Sequence, residues 1–217
     1  MGIESSDMPG NISSSENSRF FPDWDWEELY SYGPRVKRLP WFTEHLDADL
    51  KNELNIRKIS SGKFLDIGTG VGSHAIELSK LGFEVTATDI SQNAIDRARA
   101  LSKDVTFFVD DIIHSRLSEE GYVFDYAFDR GCFHTLDPKY RSQYVTQVKK
   151  LIVSEGLFFL KTFSTKQPQG PGPHRFSTDM MAKYFGDHFK ILKSIETVYE
   201  GTLRVLPKAL FTVMAKM

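Results

Sequence analysis

The sequence predicts an α/β protein built on a doubly wound, mostly parallel sheet with one reversed strand. Three observations predict it. From Lys63 onward, short and nearly continuous apolar runs alternate with helical patterns. The acids Asp66, Asp89, Asp110–Asp111 and Asp129 fall at the carboxyl ends of four of those runs. The last two runs follow each other with no helix between them, as an antiparallel hairpin would.

Taken in order, the first 18 residues are polar, rich in Ser, Asn, Asp and Glu, and read as a disordered tail. Residues 19–217 read as one domain, with an aromatic-rich stretch at about 20–55 expected to form a helical lid. Within it "DWDWEELYSYG" predicts a short helix ending at Gly33 and "DADLKNELN" a second. "KFLDI" is apolar almost throughout, as expected of a strand covered on both faces. "SHAIELSKLG" is a helix with Gly82 just past its end. "FEVTATD" is the second strand, and Ser91 caps the helix through "QNAIDRARALS". "VTFFVD" and "YVFDYAFD" are the third and fourth strands, "KYRSQYVTQVKKLI" a long amphipathic helix, and "GLFFLKTF" the fifth strand. "STKQPQGPGPHRFS" is a Pro/Gly loop without regular structure. A Ser-capped helix, "STDMMAKYFG", leads into the hairpin "FKILKSIETVYE" and "KALFTVMAK".

The composition narrows the function. With 217 residues the chain can bury one sizeable core. A net charge of −2 gives no electrostatic footprint for nucleic acid or an anionic membrane, and neither is expected as a partner. A single cysteine, Cys132, excludes an internal disulfide framework and a cysteine-only metal site; no metal is expected. No stretch approaches the roughly 20 apolar residues of a membrane span, and the polar start lacks the apolar core of a signal peptide, so a cytoplasmic protein is expected.

The glycine loop after the first strand carries the ligand chemistry. In a doubly wound sheet the ligand sits at the carboxyl ends of the strands. The dinucleotide fingerprint G-x-G-x-x-G needs a glycine at position 73; here Ser73 stands there, and the glycines are Gly68, Gly70 and Gly72. Asp66 would repel a pyrophosphate but suits an ammonium group, unless it only caps the glycine turn. Asp89, about twenty residues beyond the loop, is placed to accept from both ribose hydroxyls. Asp111 and Ile112 can frame an adenine, leaving Asp110 solvated. Adenine, ribose, a free ammonium and no phosphate describe S-adenosylmethionine, whose positive sulfonium suits a rim of acids.

"LDIGTGVG", "TATDIS", "FFVDDI", "FDYAFDRGCFHTL" and "LIVSEGLFFL" resemble the successive motifs of the class I S-adenosylmethionine-dependent methyltransferases, from about residue 55 to the end. The resemblance implies a Rossmann-like seven-stranded sheet of order 3-2-1-4-5-7-6 with strand 7 antiparallel. It implies that Asp66 and the Gly68, Thr69, Gly70 and Gly72 backbone hold the methionine part. Asp89 would hold the ribose in a turn shared with Ser91, Ile90 would pack on adenine, and Asp111 with Ile112 would bind its edge. Asp129 and Arg130 would stand near the sulfonium. Glu155-Gly156 replaces the Pro-Gly-Gly of many relatives, at a turn outside the site.

"WEELYSYG", "LPW" and "DRGCFHTL" further resemble the thiopurine and tellurite-resistance thiol methyltransferases, which implies a small-molecule acceptor, with a thiol or other soft nucleophile first and O- or N-methylation second. Trp41 after Pro40 is then expected over the cofactor and Tyr30 toward the substrate, while His174 and Arg175, in the Pro/Gly loop over the site, either contact the substrate or only shape the loop. His134 can serve as a catalytic base, pack on the cofactor, or satisfy a core hydrogen bond. Two other classes stay open. A nicotinamide oxidoreductase would share the sheet and ribose acid, but Ser73, Asp66 and the lack of a Tyr-x-x-x-Lys pair count against it: Tyr140 and Tyr144 are followed four residues on by Tyr144 and Val148. A non-catalytic sensor would keep the cofactor site without an acceptor pocket.

Overall fold

The structure, a computed structural model, describes residues 24–217; the predicted polar tail and the first aromatic residues lie outside the described residues. Asp25 caps α1 (Trp26–Ser31) by accepting the Glu28 amide at 2.9 Å, and a 3₁₀ turn over Gly33–Arg38 follows. Asp47 caps α2 (Ala48–Arg57) through the Asp49 and Leu50 amides. The alternating part then runs β1 (Lys63–Ile67), α3 (Ser73–Lys80), β2 (Glu84–Asp89), α4 (Gln92–Leu101), β3 (Thr106–Val109), β4 (Phe124–Arg130), α5 (Arg141–Leu151) and β5 (Ile152–Ser164). A two-residue strand β6 (Arg175–Phe176), α6 (Thr178–Phe185), β7 (Phe189–Val198) and β8 (Lys208–Lys216) complete the chain.

The sheet order is β3-β2-β1-β4-β5-β8-β7, with β8 antiparallel to both β5 and β7. This is the expected order. The added β6 pairs with β5 inside the loop that the Pro and Gly content marks as irregular. β5 also begins earlier than expected. Its register jumps from Phe124↔Ile152 to Tyr126↔Leu157, and Glu155 sits at φ 62°, so the Glu155-Gly156 turn is a bulge inside the strand.

Consecutive strand residues point to opposite faces, so Phe64 and Leu65 enter two different cores. One core packs α2, α3 and α4 through Leu50, Leu54, Leu78 and Ile95 onto Phe64, Phe128 and Phe159. The other packs α5 and α6 through Tyr144, Val148, Met181 and Phe185 onto Leu65, Phe158 and Met214. Each fully buried Phe or Leu stabilises the fold by about 1.5–3 kcal/mol.

A buried ion cluster joins the N-terminal segment to the sheet. Asp47, wholly buried, pairs with Arg130 at 2.9 Å and Lys161 at 2.7 Å, and Lys161 also meets Asp49 at 2.7 Å. Burial acts to raise the Asp47 carboxyl, but the two cations outweigh it and hold it below its ordinary value. The β7–β8 connection closes over the same segment: the Thr202 amide donates to the Pro40 carbonyl at 3.2 Å, and Gly201 passes so close that a Cβ would stand 1.8 Å from that oxygen. Among the described residues no helix is long and apolar enough to cross a membrane.

Candidate active site

The strand ends, the N-terminal segment, the Pro/Gly loop after β5 and the β7–β8 connection line a cavity of about 610 Å³. Its floor begins at the turn from β1 to α3, where Gly68, Gly70 and Gly72 all take positive φ. The turn is fixed from behind. Thr69 donates its amide to the Thr88 carbonyl at 2.8 Å and its hydroxyl to Asp66 at 2.5 Å, and the Gly70 amide donates to Asp89 Oδ2 at 2.8 Å. Only glycine fits at 70, because a Cβ would stand 2.7 Å from the Tyr30 hydroxyl lying across the turn.

Of the residues predicted to hold the cofactor, Gly68, Asp89, Ile90, Asp111, Ile112, Arg130 and Trp41 line the cavity. The others stand behind it. Asp66 accepts the Thr69 hydroxyl and the Ala75 amide and so caps the turn. A Cβ on Gly72 would meet Ala98 and Phe107, so that glycine lets α3 start close to its neighbours. Ser91 caps α4 through the Ala94 amide and donates to Glu27 at 2.6 Å. Asp129 accepts the amides of Gly131, Cys132 and Phe133 at 2.8–2.9 Å, and the Tyr144 hydroxyl. It builds the turn after β4. Asp110, expected to be solvated, lines the cavity beside Asp111; its Oδ2 is buried without a hydrogen-bond partner, whereas Asp111 accepts from the Ile113 amide and pairs with His114.

Arg130 is engaged by the lid, and of the three roles open to His134 the structure shows the core hydrogen bond. The Arg130 guanidinium donates to Asp47, to the Trp41 carbonyl at 3.0 Å and to the Glu200 carbonyl at 2.5 Å, and lies 4.3 Å over the Tyr199 ring. It clamps the lid and carries no free charge into the cavity. His134 Nδ1 accepts the Phe163 amide at 3.0 Å, so the ring proton sits on Nε2. Burial and the nearby Arg130 push the imidazole down to about 3. With one nitrogen occupied and the other protonated, His134 is a hydrogen-bond donor and not a base.

The roof is aromatic. Trp24 stacks on Trp41 with centroids 5.0 Å apart, and Trp26 meets both edge-on at 5.3 and 5.8 Å. Tyr30 is buried beneath them and takes a hydrogen bond from Trp41. Of the three candidate substrate contacts, only Tyr30 lines the cavity. Arg175 donates to the Pro168 and Gly170 carbonyls, and the His174 amide donates to the His134 carbonyl, so both shape their loop while Gln167, Pro171 and Pro173 face inward. Sequence reasoning missed those three together with Phe163, Tyr199 and Leu203. The alternating "DWDW" was the local signal for Trp24 and Trp26. Tyr199 had none, since the β7–β8 hairpin carries it back across the sheet.

Burial raises three carboxyls around the cofactor end: Asp66 to about 7, Asp89 to about 6 and Asp129 to about 6. Neighbouring acids push Asp66 further, and among the described residues none of the three is paired with a lysine or arginine.

A methyltransferase domain model matches residues 64–156. The chain is 33% identical over 104 residues to an uncharacterized methyltransferase of Schizosaccharomyces pombe, covering 46% of this chain and 70% of that one. It is 25% identical over 170 residues to the human EEF1A lysine methyltransferase 2, covering 72% of this chain and 66% of that one. The structure of Burkholderia thailandensis 1,6-didemethyltoxoflavin-N1-methyltransferase, solved with its acceptor and S-adenosylhomocysteine, superposes with a TM-score of 0.68 at 22% identity over 89% of this chain and 86% of that one. Sheet order, glycine turn and these likenesses agree: the chain belongs to the class I S-adenosylmethionine-dependent methyltransferases.

Proposed function

We propose that the protein methylates a small, flat acceptor held under Trp24, Trp26 and Trp41, with sulfur as the preferred nucleophile. One observation carries this reading: among the described residues no side chain at the acceptor end of the cavity is placed to take a proton. His134 is a donor, burial keeps Tyr199 and Cys132 protonated, and the lining carboxylates Asp89, Asp110 and Asp111 come from β2 and β3, on the other side of β1 from His134. A thiolate needs no general base, whereas a phenol or an ammonium must first lose a proton.

The cofactor fits the other end. Buried acids without a cation suit a ligand carrying an ammonium and a sulfonium. Asp89, oriented by the Gly70 and Ser91 amides, keeps lone pairs for the ribose hydroxyls, while Ile90 and Ile112 can flank the adenine and Asp110 or Asp111 can accept its amine. Bound there, S-adenosylmethionine supplies an electrophilic methyl group. The protein contributes position, a term worth roughly 7–11 kcal/mol of barrier in well-oriented reactions, and the aromatic roof excludes water.

Ring-nitrogen methylation is the second reading, supported by the heteroaromatic acceptor of the Burkholderia neighbour. The test is transfer of labelled methyl from S-adenosylmethionine to a panel of aromatic thiols, phenols, ring-nitrogen heterocycles and a lysine peptide. Turnover confined to the thiols is expected. Turnover confined to the peptide, the reaction named for the human relative, would overturn the small-molecule reading.

A further inference from the structure

Gly131 follows β4 directly, lines the cavity and holds φ at 115°. A Cβ on it would stand 2.7 Å from the Tyr199 hydroxyl oxygen and 3.5 Å from His134 Nε2. Glycine therefore lets the Tyr199 hydroxyl close onto the backbone beside His134 Nε2, so that two polar atoms converge at the cavity wall. Both are donors: Nε2 carries the imidazole proton because Nδ1 accepts the Phe163 amide, and the rings of His134 and Tyr199 stack at 5.5 Å, fixing each other. The Arg130 guanidinium lies 4.3 Å over the Tyr199 ring, its donors engaged by Asp47 and the Trp41 and Glu200 carbonyls. Arg130, His174 and Arg141 face His134; Arg130, Asp129 and Asp47 face Tyr199.

We infer that the Tyr199 hydroxyl and His134 Nε2–H form an anion cradle over Gly131 that binds the methyl acceptor in its deprotonated form. This rests on the methyltransferase reading and deepens it: the acceptor is an acidic thiol, with a phenolate only as its binding probe, and gives its proton to water before it enters. Its anionic lone pair then bonds to the methyl carbon as the carbon–sulfur bond of the sulfonium breaks, the bonding pair staying on sulfur. The negative and positive charges disappear together, so no protein group moves a proton. Two neutral donors suit this better than a cation, because they lose little when the acceptor becomes neutral and must leave.

The probe is 4-nitrophenol, whose phenolate band reports its own ionisation. It is titrated across pH with the full chain, both with and without S-adenosylhomocysteine, whose affinity is measured separately by calorimetry. The phenolate is expected to bind at least about tenfold tighter than the phenol, since hydrogen bonds to a charged acceptor are the stronger ones. Tyr199→Phe and His134→Ala should each remove about tenfold of that preference. His134→Gln, which keeps an N–H donor, should restore most of it, an outcome that packing alone would not produce. Unchanged S-adenosylhomocysteine affinity in these variants shows the fold intact. Preference for the neutral phenol, or no binding by a protein that still takes S-adenosylhomocysteine, would overturn the cradle. Phenolate binding by a protein that fails to take S-adenosylhomocysteine would overturn the methyltransferase reading instead.

Discussion

At the residue scale, the role proposed for Asp89 in holding the cofactor rests on the way its oxygens are held. They are oriented by the Gly70 and Ser91 amides at 2.8 and 3.0 Å, and burial raises the carboxyl to about 6. Hydrogen bonds to a charged acceptor contribute roughly 1.5–3 kcal/mol. Asp89→Ala is therefore expected to weaken S-adenosylmethionine binding at least about tenfold by calorimetry, and an unchanged affinity would place the ribose elsewhere. The same burial makes binding pH-dependent. A cationic ligand favours the ionised carboxylates, so binding near pH 6 should release protons, and affinity should rise with pH until it levels off above about 7, where Asp66 is also ionised. Titrations in buffers of different ionisation enthalpy measure this; proton uptake would contradict it. In the ligand-free protein the sign is opposite. Carboxyls raised from 3.8 to about 6 or 7 favour the fold at low pH, and that contribution is lost as pH rises through those values.

At the scale of elements, the lid is held by two devices. One is the cluster of Asp47 with Arg130 and Lys161, which ties α2 to the ends of β4 and β5. Removing one partner of a buried pair leaves an uncompensated charge, a loss of about 3–5 kcal/mol. Asp47→Asn should lower the melting temperature accordingly; a variant as stable as wild type would show the cluster to be dispensable. The other device is the contact of Gly201 with Pro40. Gly201→Ala forces the β7–β8 connection away from Trp41 at a cost of about 1–3 kcal/mol. The acceptor KM should rise several-fold while S-adenosylhomocysteine binding changes little, and an unaltered KM would mean that this contact does not shape the acceptor end.

Across the whole molecule, legibility in the sequence follows range. Strands buried on both faces, such as "KFLDI", and helices with a side-chain cap, such as Ser91 before α4, announce themselves locally, while the order of the strands came from the family resemblance. Gly68, Asp89 and Ile112 line the cavity because they follow their strands at fixed spacing, which is a local signal. The acceptor end was not legible in this way. Tyr199 reaches it only through the pairing of β7 with β8, and Arg130 is diverted into the lid clamp by Asp47, 83 positions away. His134 changes from candidate base to donor because of one amide, that of Phe163, 29 positions on. Such partners are chosen by tertiary packing, and no local pattern encodes them. The central claim is that the glycine turn and its acids serve an adenosyl cation rather than a dinucleotide. Calorimetric titration of ligand-stripped protein with S-adenosylmethionine, S-adenosylhomocysteine and NADH tests it most directly. The account predicts binding of the first two and none of NADH; binding of NADH alone would contradict it.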